Sequence, residues 1–238
     1  MIIKSIGIEE SANFPTNDYN GIHESMVQLG YLESHRDLWL EWAGAWNGIA
    51  YRYGFCCECN VSYTESIKKY TNSPPSIERY NQEVIIFNFF TNGFSVIECF
   101  CYALFAITSI IDPGNFPLVT PKDKKIVTYN VLIDKLEKHF QKEDITKRLR
   151  QLVGSSEFAE WSDIRNVLAH RSTPPRAFRL GGPRDRQTSW GQINLDENTM
   201  AHRLQWLSEN LSLLLNDTNT FVKKYLIEKS GVVTSLKK

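Results

Sequence analysis

An all-α, up-and-down helical bundle is the fold class this sequence predicts, and three observations predict it. Long stretches repeat apolar residues at steps of three and four, no run of five residues alternates in the manner of a strand with β-branched enrichment, and most connections between periodic stretches are short. With 42% hydrophobic and 12% aromatic residues in a chain of 238, one compact domain can bury a sizeable core. About five main helices follow, together with one long Arg-rich loop.

Residues 1–32 carry the turn formers Asn13, Pro15, Asn17, Asp18, Asn20 and Gly21 without a sustained period, which predicts an irregular lead-in with at most one short helix. The helical domain is expected over 33–230 and a short tail over 231–238. From Asp37, the residues Trp39, Trp42, Trp46, Ile49, Tyr53 and Cys56 form one apolar stripe, the mark of a first long helix. Gly44 and Gly48 lie one turn apart on it, a small-residue face that lets another helix backbone approach closely. After Pro74 and Pro75, a second helix is expected from about Ile77 to Ile111, ending before Asp112, Pro113 and Gly114.

That second helix is apolar enough to suggest a membrane span. Glu98 near its centre would cost about 2.5 to 3.5 kcal/mol on insertion scales, and Asn88, Asn92 and Ser95 add to the burden, so a central core helix is the better reading. Asn88, Asn92, Ser95 and Tyr102 fall on one face, and a polar line on a buried helix needs partners. A third helical region is expected over 123–153 with a break near 141–144. A shorter helix follows from Ser155 to about Arg171, capped by Ser155 or Ser156, with Phe158, Trp161, Ile164 and Leu168 inward. The last runs from Asp196 to about Glu228 on Met200, Leu204, Leu207, Leu211, Leu214, Phe221 and Tyr225. Residues 172–195 read as a long structureless segment with a basic excess from Arg176, Arg179, Arg184 and Arg186, and with Phe178 and Trp190 as candidate base-stacking rings.

Lysine plus arginine equals aspartate plus glutamate at 27 each, so no global field draws the protein to nucleic acid or an anionic membrane; such binding needs a local patch. The N-terminus lacks the pattern of a secretory signal, which makes the cytoplasm the expected location. Five cysteines read as reduced thiols. Cys56 and Cys59 have the spacing of a zinc hook, with Cys99 and Cys101 as the other imaginable pair, but both sets sit in apolar helical stretches where packing explains them. No metal and no cofactor are expected, and no Gly-rich phosphate loop or nucleophile elbow is present.

The chemistry gathers at Arg165, Asn166 and His170. The segment Asp163-Ile164-Arg165-Asn166-Val167-Leu168-Ala169-His170-Arg171 resembles the signature of the HEPN superfamily, an Arg and a His separated by four to six positions of which the first is polar; here four residues intervene and Asn166 is the polar one. Its place supports the resemblance, late in an all-helical chain and on a short amphipathic helix between long ones. The resemblance implies a bundle that dimerises with the motif helices facing one another. In the family's active members it also implies metal-independent endoribonuclease activity, often in toxins or defence effectors that have an antitoxin partner; other members are inactive or bind nucleotides.

Helical geometry suits a shared site. At about 100° per residue, His170 lies about 140° from Arg165, so one straight helix does not converge all three residues on one atom; a second protomer or a frayed helix end before Pro174 would close the gap. Two copies would supply imidazoles as base and acid and guanidinium forks for the phosphorane charge, giving 2′,3′-cyclic phosphate and 5′-hydroxyl ends. Arg171, Arg176 and Arg179 are the candidate substrate-binding cations, and Asn92, Ser95 and Glu98 the candidate supports. Two arginines across a two-fold axis repel, so an anion or acidic residue is expected beside them. The plainer alternatives are that Arg165 pairs with Glu98, that His170 caps the helix end, and that the protein is a non-catalytic module or a helical adaptor.

Overall fold

In a computed structural model of the chain, residues 13–30, 36–70, 74–170, 176–178, 188–190, 193–196 and 198–228 are described. They are overwhelmingly helical. The elements are α1 (Thr16–Gly30), α2 (Arg36–Tyr70), α3 (Ser76–Ile111), α4 (Pro121–Ile126), α5 (Tyr129–His139), α6 (Asp144–Val153), α7 (Ser156–His170), three short strands and α8 (Thr199–Val222), which runs on as a wider π-helical turn over Lys223–Glu228.

The frame is an antiparallel hairpin of α2 and α3, 35 and 36 residues long. Cross-helix partners run in opposite directions along it. Gln82 reaches Ser66, the Cys56 thiol reaches the Phe89 carbonyl, Arg52 reaches Asn92, and Tyr102 reaches Glu41. Small residues set the closeness of the packing. A Cβ on Gly48 would lie 2.9 Å from the Cys99 sulfur, and one on Gly93 would lie 2.1 Å from the Trp161 ring. Gly44 differs from the expectation of a helix-packing face, because a Cβ there meets nothing within 4 Å.

The lead-in is more ordered than its turn formers suggest. Thr16–Gly30 makes a 15-residue helix, and Phe14, Tyr19, Ile22 and Met26 are buried in the common core. Tyr19 stacks on Trp46 with ring centroids 4.7 Å apart and donates its hydroxyl to the Trp46 carbonyl at 3.0 Å. Three apolar residues on one face of the helix, with Phe14 just before it, bring the segment onto α2 and α8, whatever its local turn propensity.

The third helical region divides into three helices. Its break near 141–144 is present, and a further one falls at Val127–Thr128. Thr120 and Asp123 form a capping box, and the Thr128 hydroxyl accepts from the Val131 N–H, so each threonine starts a new helix. Ser155 likewise caps α7, accepting from the Phe158 N–H at 3.2 Å. On α8, Met200, Leu207, Leu211, Leu214 and Phe221 are buried as the stripe predicts, with Leu204 and Tyr225 half-buried.

Residues 172–195, expected to be structureless, contain three strands, Arg176–Phe178, Thr188–Trp190 and Ile193–Leu195, in one antiparallel sheet of order β1-β2-β3. Arg176 lies opposite Trp190, and Thr188 opposite Leu195. Three-residue strands are too short to show a period of two, which is why the alternation test missed them. Among the described residues one helix, α3, is long and apolar enough to cross a membrane, with 67% of its most apolar window buried inside the protein.

The contrast between two glycines is testable. Gly93→Ala should lower stability by about 1–3 kcal/mol through overpacking against Trp161. Gly44→Ala, with open space and a helical backbone, should raise it by up to about 1 kcal/mol. Urea unfolding midpoints measure both, and equal effects would mean that α3 and α7 are not in close contact.

Candidate functional site

The motif helix presses its apolar face on α3. Trp161 lies against Phe89 and Phe90 at 5.3 and 5.2 Å between ring centroids, and Phe158 against Phe94 at 5.4 Å. Arg165, one turn beyond Trp161, therefore leaves the buried face at its edge. Its guanidinium sits over the Phe94 ring, 5.5 Å from the centroid. One terminal nitrogen donates to Glu98 Oε1 at 3.2 Å, and the other donates to Asn166 Oδ1 at 3.2 Å. Ser95, one turn before Glu98 on α3, donates its hydroxyl to Glu98 Oε2 at 3.1 Å.

The result is a short relay of fixed groups, Ser95 to Glu98 to Arg165 to Asn166. The Arg165 side chain remains 28% exposed and Glu98 38%. Two of the five guanidinium N–H donors are committed to described side chains, and a planar fork so held can still present donors to an anion.

The polar line on α3 divides among different partners. Glu98 turns to Arg165 and Ser95 to Glu98, whereas Asn92 accepts from Arg52 of α2 at 3.1 Å and donates to the Asn88 carbonyl at 2.9 Å. Asn92 thus supports the α2–α3 contact and not Arg165. The reason is angular, since Asn92 and Glu98 stand about 120° apart around the helix and face different neighbours. Tyr102, the end of the line, donates to Glu41 Oε2 at 2.7 Å.

Of the other expected site residues, His170 closes α7, but its side chain lies outside the described residues. Arg171 and Arg179 lie wholly outside them. Arg176 begins β1, again without a described side chain.

Glu98 also forms part of the wall of a cleft of about 610 Å³, between α2, α3 and the start of α5. Glu41, Gly44, Cys99, Tyr102 and Tyr129 contribute to the same wall. The Lys124 ammonium donates to the Glu41 oxygen that Tyr102 leaves. Those bonds from Lys124 and Tyr102 hold the Glu41 carboxyl below its ordinary value, while burial and the bond to Glu41 push the Tyr102 phenol up.

The sequence reading missed Glu41, Lys124 and Arg52. A faint signal existed for Glu41, a charge set between Trp39 and Trp42 beside the apolar stripe. Four of the thiols are pushed away from the reactive form: burial raises Cys56, Cys99 and Cys101, and lifts Cys59 to about 11. Among the described residues no group of three or more His, Cys, Asp or Glu side chains is placed to hold a metal ion. No protein-family model, curated protein or solved structure matches the chain.

The Glu41 network predicts a pH dependence. A carboxyl lowered in the folded state stabilises fully above its unfolded value, near 4.5, and the contribution is lost as pH falls through the lower folded value. Unfolding measured from pH 7 down to pH 3 should therefore lose stability more steeply below about 4.5 in the wild type than in Glu41→Gln. Parallel curves would mean that Glu41 makes no favourable bonds in solution.

Proposed function

We propose that the chain is a HEPN-type, metal-independent endoribonuclease whose site is completed across a homodimer. The observation that carries the reading is the Arg165 guanidinium, aimed by Glu98, Asn166 and the Phe94 ring yet partly open to solvent, at the end of the helix that closes on His170. Asn166 Oδ1 accepts from Arg165 and, in this reading, helps to hold it in place. Glu98 is the acidic neighbour that keeps two facing arginines from repelling.

In this reading an imidazole of His170 takes the 2′-hydroxyl proton and the 2′-oxygen attacks phosphorus. The bond to the 5′-oxygen breaks, and His170 of the second copy protonates that oxygen. Arg165 binds the non-bridging oxygens, where its donors gain most as charge builds in the transition state. The products are a 2′,3′-cyclic phosphate and a 5′-hydroxyl. Arg171, Arg176 and Arg179 extend the binding surface along the RNA. A cytoplasmic toxin or defence effector, held in check by an antitoxin protein, is the role that fits such an activity.

One observation favours a second reading. The Arg165–Glu98 pair is already charge-balanced, which suits a non-catalytic HEPN module that binds nucleotide, RNA or a partner protein.

Incubating purified protein with mixed RNA in EDTA separates the two. His170→Ala and Arg165→Ala should each lose about 10²–10⁴-fold in cleavage, with the dimer mass by light scattering and the melting transition of Arg165→Ala retained. Equal cleavage by wild type and His170→Ala would remove His170 from the mechanism. Saturable RNA binding without turnover in the wild type would establish the module instead.

A further inference from the structure

The cleft beside Glu98, the carboxylate that holds Arg165, has a composition that selects among ligands. At about 610 Å³ it has the size of a small-molecule site. Its walls are apolar and aromatic, from Leu40, Ala45, Val127 and the Tyr129 ring, and Gly44 leaves open space where any other residue would project. Tyr129 packs edge-on against Phe94, the ring beneath the Arg165 guanidinium, so cleft and arginine share one aromatic support.

The charges are balanced in pairs, Glu41 with Lys124 and Glu98 with Arg165. The two wall carboxylates are thus each neutralised by a cation from outside the wall, which leaves little for a free cation. What the cleft offers is acceptor capacity. A carboxylate has roughly four lone-pair sites, and Glu41 spends two of them, on Tyr102 and Lys124, one on each oxygen. The complement is a flat, neutral ring with two adjacent N–H donors on one edge. Among the nucleobases guanine has that edge, N1–H beside the 2-amino group; adenine and cytosine place an acceptor beside the amino group, and uracil has a single N–H.

Placement agrees with this. Tyr102, which fixes Glu41, lies one turn beyond Glu98 on α3, about 6 Å along the axis, so Glu41 stands on the same wall as Glu98, the carboxylate that bonds Arg165. We propose that the cleft is a guanine-binding subsite of the Arg165 site, with Glu41 accepting from the N1–H and 2-amino edge, Tyr129 giving a stacking face and the 3′-phosphate directed to Arg165. This deepens the ribonuclease reading and rests on it for the meaning of the phosphate position. It assigns cleavage on the 3′ side of guanosine.

Calorimetric titration with guanosine, adenosine, cytidine and uridine 3′-monophosphates tests the subsite without any turnover. The guanosine nucleotide should bind at least tenfold more tightly than the other three. Gly44→Phe, which fills the cleft from a position with open space, should weaken that binding at least tenfold with an unchanged melting temperature. Glu41→Gln, which sets an amide donor against the guanine donors, should abolish the preference. Equal binding of all four nucleotides, or undiminished guanosine binding in Gly44→Phe, overturns the proposal.

Mapping the cut sites in a random RNA pool separates it from the nuclease reading. Guanosine selectivity without cleavage leaves the subsite standing and removes the nuclease. Cleavage without base preference, unaffected by Gly44→Phe, does the reverse.

Discussion

A helix that is apolar nearly all the way round has no side it can leave to water, and α3 is such a helix: Phe89, Phe90, Phe94, Ile97, Phe100, Leu104 and Ile107 are all buried. Burying it requires neighbours on several sides, and α2, α5, α7 and α8 take those places. Polar groups on α3 then carry a strict condition, since each must find a partner or lose its hydration without return. Asn92, Ser95, Glu98 and Tyr102 meet it with three different neighbours, Arg52, Arg165 and Glu41. Those hydrogen bonds fix how α2 and α7 are rotated about their axes, which apolar contact alone leaves loosely determined.

Arg165 shows how the same condition builds a candidate site. Deep burial of a guanidinium would demand full pairing, and full exposure would leave it swinging on a flexible stem. At the edge of the α3–α7 contact it keeps partial hydration, while Glu98 and the Phe94 ring remove most of its freedom. The pair is weak as a source of stability, because both groups are partly screened by water. Its effect is on orientation, and orientation is what recognition of a phosphate fork depends on.

Gly44 and Gly48 are one turn apart and look alike in sequence, but they have opposite consequences. Gly48 lets Cys99 come so close that no side chain fits between. Four residues earlier, α2 and α3 are separated enough for a cleft, with α5 beginning at its rim. The start of α5 is set by Thr128, whose hydroxyl satisfies the Val131 N–H and turns the chain at the place where Val127 and Tyr129 complete the wall. A capping residue thereby shapes a cavity.

The helical class, the two long helices, the stripe on α8 and the burial of Phe158 and Trp161 were legible in the sequence because a 3.6-residue period reports directly on which face meets the core. So was the polar line on α3, together with its need for partners. The choice of partner was not. Asn92 and Ser95 both read as support for Arg165, whereas Arg52, forty residues away in sequence, takes Asn92. The helix over Thr16–Gly30 and the three short strands were hidden for a related reason, since local turn formers and three-residue runs carry little periodic signal and are held by contacts from elsewhere in the chain. Sequence alone marked Arg165, Asn166 and Glu98 as candidates, and left Glu41, Lys124 and Arg52 unmarked. Tertiary structure decided which of them meet and what space lies beside them, because a cleft between Glu41, Glu98 and Tyr129 joins residues that no local pattern relates.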